Sequence, residues 1–336
     1  MGNVDGVASA GSGPAGEQGE APPRPVKVVV ALCTAQRPRM LECCLASLVV
    51  QRIGAGVDLT IAVVENHATA SCRAIVERFA AQPGAPTFVY ASEPRIGIPI
   101  ARNRSLDLAL AAGADWIAFI DDDEVAEPDW IASLLSAAQG LSADVVRGPV
   151  VQVNAATGGI VRDRKSRPTG ARLKTAMTNN TLMRAAIAGA DGLRLRFDEN
   201  LRLTGGSDVE YFSRAHGRGA TICWVDEAVV RESVPAERLS LSWRCARERR
   251  VGSNGSLSYI RKHGRPLAFA ICSGKCLVRA GGASLKLVLG VLIYPFQPVR
   301  GTATIFQACA DYWRCAGTLG TFFGQVPEPY RIVEGY

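Results

Sequence analysis

The sequence predicts an α/β protein with a mostly parallel central sheet flanked by helices. Apolar, β-branched runs of strand length alternate with amphipathic segments of helix length through residues 26–153. The strand runs are continuously apolar, which is typical of strands that are covered on both faces. The chain of 336 residues is 48% hydrophobic and 21% charged, a composition that supports a large buried core.

The elements of this alternation follow one another in a simple order. Residues 1–25 hold Gly, Ala, Ser, Pro and Glu without large apolar residues, and they are predicted to form a disordered leader. The predicted strands are then VKVVVALC, DLTIAVVEN, TFVYAS, DWIAFI and ADVVRGPVVQV. The predicted helices between them are MLECCLASLVVQ, ATASCRAIVERFAAQ, IPIARNRSLDLALAAG and a segment that starts near Pro128.

The pattern is less regular after residue 153. TNNTLMR predicts renewed order followed by a short helix, and LRFDENLRLTGGSDVEYFSRAHGRGA predicts a loop that leads into a helix. TICWVDEAVVRES predicts one more strand, and LSLSWRCARERRVGSNGSLSYIRKHG predicts a helix with an arginine-rich middle.

Residues 265–325 are more apolar than the rest. Their longest apolar run, LKLVLGVLIYPF, has about a dozen residues, whereas a single bilayer span needs ~20, so the run is too short to cross a membrane. Two interpretations stay open: a helical hairpin packed on the core, or an element that docks on a membrane surface. Arg279, Lys286 and Arg300 favour the second.

Charge and cysteine usage exclude several classes of site. The formal charge of +7 suits anionic partners without choosing one. The ten cysteines form no C-x-x-C pair, which argues against zinc ribbons and thioredoxin-like sites. Residues 1–25 lack the basic start and apolar stretch of a secretory signal, so reduced thiols in the cytoplasm are expected.

Four acids follow the predicted strand DWIAFI directly. In parallel sheets ligands bind beyond the carboxyl ends of the strands, and the first such turn, CTAQRP, has no glycine, which disfavours dinucleotide and P-loop sites. Strand alternation places Asp121 and Asp123 on one side, ~6–7 Å apart, and Asp122 on the other. Such a pair can share Mg²⁺ with substrate phosphates. The alternative is a solvated acidic turn that caps the next helix.

A family resemblance rests on seven segments that occur in one order along residues 26–336. They are VKVVVALCTAQRP, TIAVVENHAT, EPRIGIPIARN, WIAFIDDDE, TNNTLMR, FDENLRLTGGSD and CAGTLGTFFG. In this order they resemble the family 2 glycosyltransferases, in particular the exopolysaccharide branch of succinoglycan type. The resemblance implies the GT-A (nucleotide-diphospho-sugar transferase) fold with a C-terminal helical extension, a nucleotide-sugar donor and Mg²⁺ or Mn²⁺.

The resemblance also divides the chain. Residues 26–240 would form the GT-A catalytic domain, with a nucleotide-sugar half at 26–153 and an acceptor half at 154–240. Residues 241–336 would form the helical region, either packed on the core or associated with the membrane.

Roles for the acids follow from the same resemblance. Asp121 would contact the ribose and the metal, Asp123 the metal, and Asp122 is the variable middle residue beside the donor. Glu232, in VVRESVP, stands where relatives often have a metal-binding His, with a plain surface acid as the alternative.

The nucleotide would be bound by residues from three loops. Glu65 would receive the base or ribose, unless it is an acid at a helix N-terminus that interacts with the helix dipole. Arg102 would contact the donor through a charge-assisted hydrogen bond, unless it forms an ion pair with the aspartates. The remaining predicted donor-binding residues are Thr34, Ala35, Arg37 and Arg95, with Asn103 packing beside the nucleotide. A surface position is the alternative for Arg37.

Asp208 is the predicted catalytic base. In relatives, the residue at this position removes the acceptor proton. The family pattern has two adjacent acids after the two glycines, whereas this chain has GGSD, with Ser207 in place of the first acid. Gly205 and Gly206 would let the backbone approach the sugar closely. An Asp N-cap of the following helix is the alternative.

Three arginines at spacings of three residues predict a basic stripe on one helix: Arg244, Arg247 and Arg250. The stripe would neutralise the leaving diphosphate or the diphosphate of a lipid-linked acceptor. A solvated helix face is the alternative.

The predicted function is an inverting transferase that moves a sugar from a nucleotide-diphospho-sugar, UDP being the expected nucleotide, to a glycan or lipid-linked acceptor in surface or exopolysaccharide synthesis. A non-catalytic nucleotide- or polysaccharide-binding protein on the same fold is the alternative, because the first acid of the pair is missing. The acidic cluster and the 7% aromatic content argue against nucleic acid as a partner. The expected location is the cytoplasm, or the cytoplasmic face of the inner membrane through a peripheral contact.

Overall fold

The computed structural model describes residues 24–69, 71–164, 166–202 and 204–327. The predicted disordered leader falls outside these residues except for its last two positions. The described chain is an α/β structure with two sheets, helices on both faces of the larger sheet, and a helical region at the end.

The larger sheet has eight strands in the order β3-β2-β1-β4-β10-β6-β11-β9. Its first four strands in that order are parallel, β10 is antiparallel to both neighbours, and β11 is parallel to β6, so the sheet is mixed. The strands are β1 (Val26–Thr34), β2 (Val57–Glu65), β3 (Thr87–Ser92), β4 (Trp116–Asp121), β6 (Val145–Arg147), β9 (Arg172–Leu173), β10 (Thr181–Arg184) and β11 (Ile222–Trp224).

The smaller sheet has four strands in the order β5-β12-β7-β8. They are β5 (Glu124–Ala126), β7 (Val150–Asn154), β8 (Ile160–Arg162) and β12 (Val230–Val234). Two runs predicted as single strands are therefore divided between the sheets: ADVVRGPVVQV forms β6 and β7, and TICWVDEAVVRES forms β11 and β12. Each predicted strand was wrong as a unit because the chain leaves one sheet and enters the other halfway along the run.

Helices occupy the remaining predicted positions. They are α1 (Pro38–Val49), α2 (Arg73–Ala80), α3 (Ile98–Ala111), α4 (Trp130–Gly140), α5 (Ser207–Gly217), α6 (Leu241–His263), α7 (Arg265–Ile293) and α8 (Pro298–Gly320). Short 3₁₀ turns lie at Ala185–Ile187, Glu199–Leu201, Ala236–Leu239 and Thr321–Phe323.

Alternate residues of β1 enter two different cores. Val28 and Val30 pack with Leu45 of α1 and with residues of α2 and α4, whereas Val29 packs with Leu106 of α3 and with residues of α5. Both faces of the strand are therefore buried, which explains why its sequence is continuously apolar.

The last three helices pack on one another. Arg244 of α6 contacts Gln307 of α8, and Glu248, one turn later in α6, contacts Arg314 of α8. The residue numbers rise together along both helices, so α6 and α8 run parallel. A Cβ at Gly252 would lie 2.1 Å from the carbonyl oxygen of Arg314, and one at Gly317 would lie 1.8 Å from that of Arg249. The two helix backbones are therefore in direct contact.

Among the described residues, α7 is one helix that is long and apolar enough to cross a membrane by length and composition. It has 29 residues, so the expectation that the apolar run is too short is wrong. The apolar segment continues upstream of LKLVLGVLIYPF through small residues. Only 17% of its most apolar window is buried within the protein.

Candidate active site

The carboxyl ends of the parallel strands meet at one edge of the larger sheet, and the acidic segment lies there. In the register of these strands, Thr34 of β1 is beside Glu65 of β2, and Cys33 is beside Asp121 of β4. The loops after β1 and β4 are therefore neighbours, as expected for a ligand site in such a sheet.

The four acids form a tight turn and do not continue the strand. β4 ends at Asp121 and β5 begins at Glu124, so Asp122 and Asp123 occupy the turn between the two sheets. The Arg37 guanidinium lies 3.2 Å from Asp122 and 3.7 Å from Asp123. The predicted alternation of three aspartates across the strand is wrong because the strand ends at the first of them.

This turn is buried, which contradicts the alternative of a solvated acidic cap. Asp122, Asp123 and Glu124 are 5%, 9% and 1% exposed. Oε2 of Glu124 accepts a hydrogen bond of 2.9 Å from the backbone N–H of Asp121, and its Oε1 is buried without a partner among the described residues. The next helix, α4, has Asp129 at its N-cap, so the acidic turn does not cap it.

The last residue of β1 and the loop after it supply two hydrogen bonds to Asp122, from residues that the sequence predicts for the site. Thr34 Oγ1 donates a hydrogen bond of 2.7 Å to Asp122, and Arg37 Nη1 donates one of 3.2 Å. Ala35 lies between them and is half-buried. The structure thus brings these three residues to the aspartates, and their contact with a nucleotide stays a prediction.

Two further arginines contact the remaining aspartates. Arg102 Nη2 lies 3.5 Å from Asp121, and Arg238 Nη1 lies 3.3 Å from Asp123. The first is the ion pair that the sequence left open as an alternative to a donor contact. Arg37, Arg102 and Arg238 together surround the three aspartates with positive charge.

The arginines offset only part of the effect of burial on the pKa values of the aspartates. Burial raises the pKa of Asp121 to about 7; Arg102 opposes this shift, and the charges of Asp123, Asp122 and Asp208 add to it. Burial likewise raises the pKa of Asp122 to about 6, with Arg37 opposing. A carboxylate whose pKa is raised in this way gains from another nearby cation.

Asp208 lies in the first turn of α5, near the acidic cluster. Its charge contributes to the raised pKa of Asp121 and acts on the guanidinium of Arg147. The N-cap of α5 is Gly206, and the Asp208 carboxylate accepts a hydrogen bond of 2.8 Å from the N–H of Val209. The alternative that Asp208 is the N-cap is therefore wrong.

The turn before α5 requires its two glycines. Gly205 and Gly206 have φ angles of +77° and +83°, a left-handed conformation that glycine adopts without steric cost. Asn254 of α6 donates a hydrogen bond of 3.1 Å to the carbonyl of Thr204 just before them. The turn positions Asp208, and a close approach to an acceptor sugar stays a prediction.

Glu65 is fully buried at the end of β2 and its oxygens are occupied. Oε1 accepts hydrogen bonds from the N–H and hydroxyl of Ser71, and Oε2 accepts from the N–H of Cys72 at 3.0 Å and the hydroxyl of Tyr90 at 2.5 Å. Burial opposes its ionisation, yet these hydrogen bonds leave its pKa below the ordinary value. This is the helix N-terminal position left open in the sequence, and a role in nucleotide binding stays a prediction.

Arg95 and Asn103 lie apart from the aspartates, beside a polar cavity of about 300 Å³. Arg95 is exposed and forms ion pairs with Glu93 at 3.0 Å and Glu199 at 3.6 Å. Asn103 donates a hydrogen bond of 3.0 Å to the carbonyl of Phe197. The structure therefore does not bring these two predicted residues into the acidic cluster.

Glu232 lies beside the cluster, because β12 pairs with β5 in a register that places it opposite Glu124. Its Oε2 accepts a hydrogen bond of 2.8 Å from Gln152, and its Oε1 lies 4.0 Å from Arg238. The N–H of Ser233 bonds to the carbonyl of Asp123 at 2.8 Å, which joins this strand to the acidic turn. Metal binding by Glu232 stays a prediction.

The predicted arginine stripe of α6 faces more than one direction. Arg244 donates a hydrogen bond of 2.7 Å to Gln307 of α8. The Arg247 guanidinium lies 5.5 Å from the centre of the Trp243 ring and interacts with the charge of Glu232. Arg250 follows one turn later and interacts electrostatically with Arg247. Arg247 is thus one member of the stripe that the structure brings towards the acidic cluster.

The sequence prediction missed two arginines of the site. Arg238, in the 3₁₀ turn before α6, contacts Asp123 and lies 5.9 Å from the centre of the Trp243 ring. Arg147 is the last residue of β6; burial lowers its pKa, and its Nε has no partner among the described residues. Arg147 lies in the middle of the predicted strand ADVVRGPVVQV and becomes a strand end only because that run divides into β6 and β7. No spacing signal marks Arg238.

The donor set at this edge fits a hard cation that is only partly held by protein. Within the described parts of the chain, no group of three or more His, Cys, Asp or Glu side chains is arranged to bind a metal ion. Asp121 and Asp123 offer oxygen ligands, and Oε1 of Glu124 is an unpartnered buried oxygen close by. Such a set suits Mg²⁺ or Mn²⁺ that completes its coordination with water and phosphate oxygens.

Comparisons with known proteins bear on this geometry. A family model described as glycosyl transferase family 2 matches residues 29–202. The chain is 33% identical over 276 residues to the succinoglycan biosynthesis protein ExoM of Rhizobium meliloti (strain 1021), and the match covers 77% of this chain and 85% of that relative.

Among solved structures, the chain is similar to S. aureus TarS 1–349, with a TM-score of 0.53, 14% identity, and coverage of 89% of this chain and 92% of that one. The same protein in complex with UDP gives a TM-score of 0.52 with the same identity and coverage. A longer S. aureus TarS structure gives a TM-score of 0.50 at 16% identity; the match covers 66% of this chain and spans only 39% of that one.

Proposed function

This chain belongs to glycosyltransferase family 2 and has the GT-A fold, and from this premise we propose that it is an inverting transferase using a nucleotide-diphospho-sugar. UDP is the expected nucleotide, because a similar fold has been solved in complex with UDP. A role in surface or exopolysaccharide synthesis is supported by the name of the R. meliloti relative.

The observation that carries the proposal is that Asp208 lies close enough to the acidic turn for its charge to act on both Asp121 and Arg147. One carboxylate is therefore near the place where the donor phosphates would lie. Asp208 would accept the proton of the acceptor hydroxyl as that oxygen attacks the anomeric carbon. General-base assistance of this kind contributes about 10²–10⁴-fold. A single displacement with one base inverts the anomeric centre.

The remaining residues would hold the donor and receive the leaving nucleoside diphosphate. Asp121 and Asp123, with Glu232 beside them, would bind Mg²⁺ or Mn²⁺, which when bound neutralises charge on the departing diphosphate. Arg37, Arg102 and Arg238 already lie against these aspartates. When the donor's own charges enter, each guanidinium can turn from a carboxylate to a phosphate oxygen, an interaction of the same type.

The acceptor is proposed to be a glycan, in free or lipid-linked form. The lipid-linked form is supported by an open cavity of about 750 Å³ at α6, α8 and the segment after them. It is lined largely by apolar side chains, including Leu241, Ala246, Trp313 and Val326. Leu241 opens the helix that also carries Trp243 and Arg247, so the cavity and the side chains near the acidic cluster share one helix.

The test replaces Asp208 with Asn and measures sugar transfer separately from UDP binding in the presence of Mn²⁺. We expect transfer to fall about 10²–10⁴-fold while UDP binding is retained. Glu210→Gln is the matched control, since Glu210 lies in the same helical turn but pairs with Arg214. Transfer that survives Asp208→Asn would remove the base from the mechanism, and the absence of any transfer by the parent protein would favour a binding protein.

A further inference from the structure

The hairpin formed by α7, α8 and the turn between them exposes large apolar side chains along its length. The two most exposed, Phe296 at 85% and Val299 at 84%, lie at the turn. This turn, residues 294–300, is called the hairpin tip below. Along α7 the large exposed residues include Leu277, Val278, Leu285, Val288, Val291 and Leu292.

The inner face of the same helix is made of small residues. Ala268, Cys272, Cys276, Ala283 and Gly290 are the residues of α7 that are buried. Water-soluble helices place their large apolar residues inside, and this helix places them outside. The arrangement is typical of helices that pack closely through small residues within an apolar surrounding.

The charge of this segment indicates what that surrounding is. Residues 265–310 contain no Asp or Glu, and their basic residues are Arg265, Lys275, Arg279, Lys286 and Arg300. Lys286 pairs with Asp311 of α8 at 2.7 Å. A second copy of the chain in a two-fold contact would bring these like charges together. An anionic lipid surface complements them, since each nearby Lys or Arg strengthens its binding.

The tip lies at the same end of the helical region as the acidic cluster. α6 and α8 run parallel, and Gln307 of α8 contacts Arg244 in the first turns of α6. α8 begins at Pro298, nine residues before that contact, which corresponds to ~14 Å at the rise of an α-helix. The start of α6 is where Trp243 lies beside Arg238, the partner of Asp123. The tip thus projects beyond the end of α6 that adjoins the cluster.

We propose that the hairpin tip and the exposed face of α7 insert into the surface of an anionic phospholipid bilayer, with the acidic cluster turned towards that surface. The insertion needs no donor or transfer, so it can be tested apart from the proposed function. The orientation of the cluster is the part that rests on that function, because it would bring a membrane-bound acceptor to the base.

The experiment is flotation of the full chain with vesicles of phosphatidylcholine, alone or mixed with phosphatidylglycerol. Binding is expected to both, and more tightly to the mixture. The double substitution Phe296→Ser, Val299→Ser should weaken binding to both vesicles by about tenfold or more, since two apolar side chains lose their apolar surrounding. Val50→Ser is the matched control, because Val50 is also exposed but lies outside the hairpin.

A charge variant separates the two contributions. Arg300→Gln should weaken binding to the anionic vesicles about fivefold and leave binding to phosphatidylcholine unchanged. The thermal midpoint of each variant confirms that it is folded. The proposal fails if the double variant floats like the parent protein. It also fails if the parent protein floats with neither vesicle; a dimer in light scattering that the double variant dissociates would then show that a second copy covers the hairpin.

Discussion

Two strands of the larger sheet, β2 and β4 on either side of β1, end in acids, and the acids differ in what surrounds them. Glu65, at the end of β2, receives hydrogen bonds from Ser71, Cys72 and Tyr90 on both oxygens, and its pKa is lowered. At the end of β4, burial raises the pKa of Asp121 and Asp122 while arginines compensate only in part.

An acid that follows a strand is therefore not by itself a ligand site. Backbone and hydroxyl donors that fill a carboxylate stabilise its charged form and leave no oxygen for a ligand. The acids of β4 have few such donors, so they retain capacity for an added cation.

Asp123→Asn should have the largest consequence. The loss of one anionic ligand should reduce transfer about a hundredfold or more, because metal assistance is worth several kcal/mol. It should also abolish the additional thermal stabilisation that Mn²⁺ gives to the UDP complex. Unchanged stabilisation by Mn²⁺ would place Asp123 in the same structural class as Glu65.

Glu65→Gln should lower the stability of the fold and leave UDP binding unchanged. Replacing a buried, fully hydrogen-bonded carboxylate should lower the free energy of unfolding by about 1–3 kcal/mol, measured in urea. Glu42→Gln is the control, an exposed acid that pairs with Arg78, and it should change stability little. A normal unfolding curve combined with weakened UDP binding would instead support the nucleotide role that the family resemblance implies.

The two strand ends should also give opposite pH dependences of stability. The lowered pKa of Glu65 contributes stability that is present above its ordinary value of 4.5 and is lost as pH falls. The pKa of Asp122 is raised from 3.8 to about 6, so its contribution is present below about 4 and is lost as pH rises towards 6.

Unfolding free energies between pH 3 and 7, each for the parent, Glu65→Gln and Asp122→Asn, check these signs. Each group can change the slope by at most ~1.4 kcal/mol per pH unit. Glu65→Gln should flatten the acid side, and Asp122→Asn should reduce the decline between about pH 4 and 6, to which the raised pKa of Asp121 also contributes. Two variants with parallel curves would show that the strand ends do not differ.

Gly206→Ala should have the smallest effect on stability. Its φ of +83° and the Asn254 amide 3.3 Å from an added Cβ make the substitution cost about 1 kcal/mol. The shift falls at the start of α5, so transfer should decrease more than UDP binding does. Gly217→Ala, at the open end of the same helix, serves as the control. A loss of UDP binding without a loss of transfer would contradict this assignment.

Much of the fold followed from local pattern. The strands up to β4 could be predicted because Val28, Val30 and their neighbours are buried on both faces, which makes the runs unmistakably apolar. The division of β6 from β7 could not be predicted, since both halves read as one strand and only the partner strands differ.

The site was predictable where it depends on strand ends and less so elsewhere. The aspartates, Thr34 and Arg37 follow β4 and β1 directly, so their meeting was expected. Arg238 reaches Asp123 across 115 residues of sequence, and nothing local distinguishes it from the other basic residues. The length of α7 was missed because its small inner residues dilute the apolar pattern.

The direct contact of α6 with α8 at Gly252 and Gly317 has a mechanical consequence. Side chains normally cushion a helix pair and absorb small displacements, but here main chain rests on main chain. We therefore expect the two helices to move as one rigid unit. We expect a displacement of the helix pair to move the indole of Trp243 and the two guanidinium groups stacked on it.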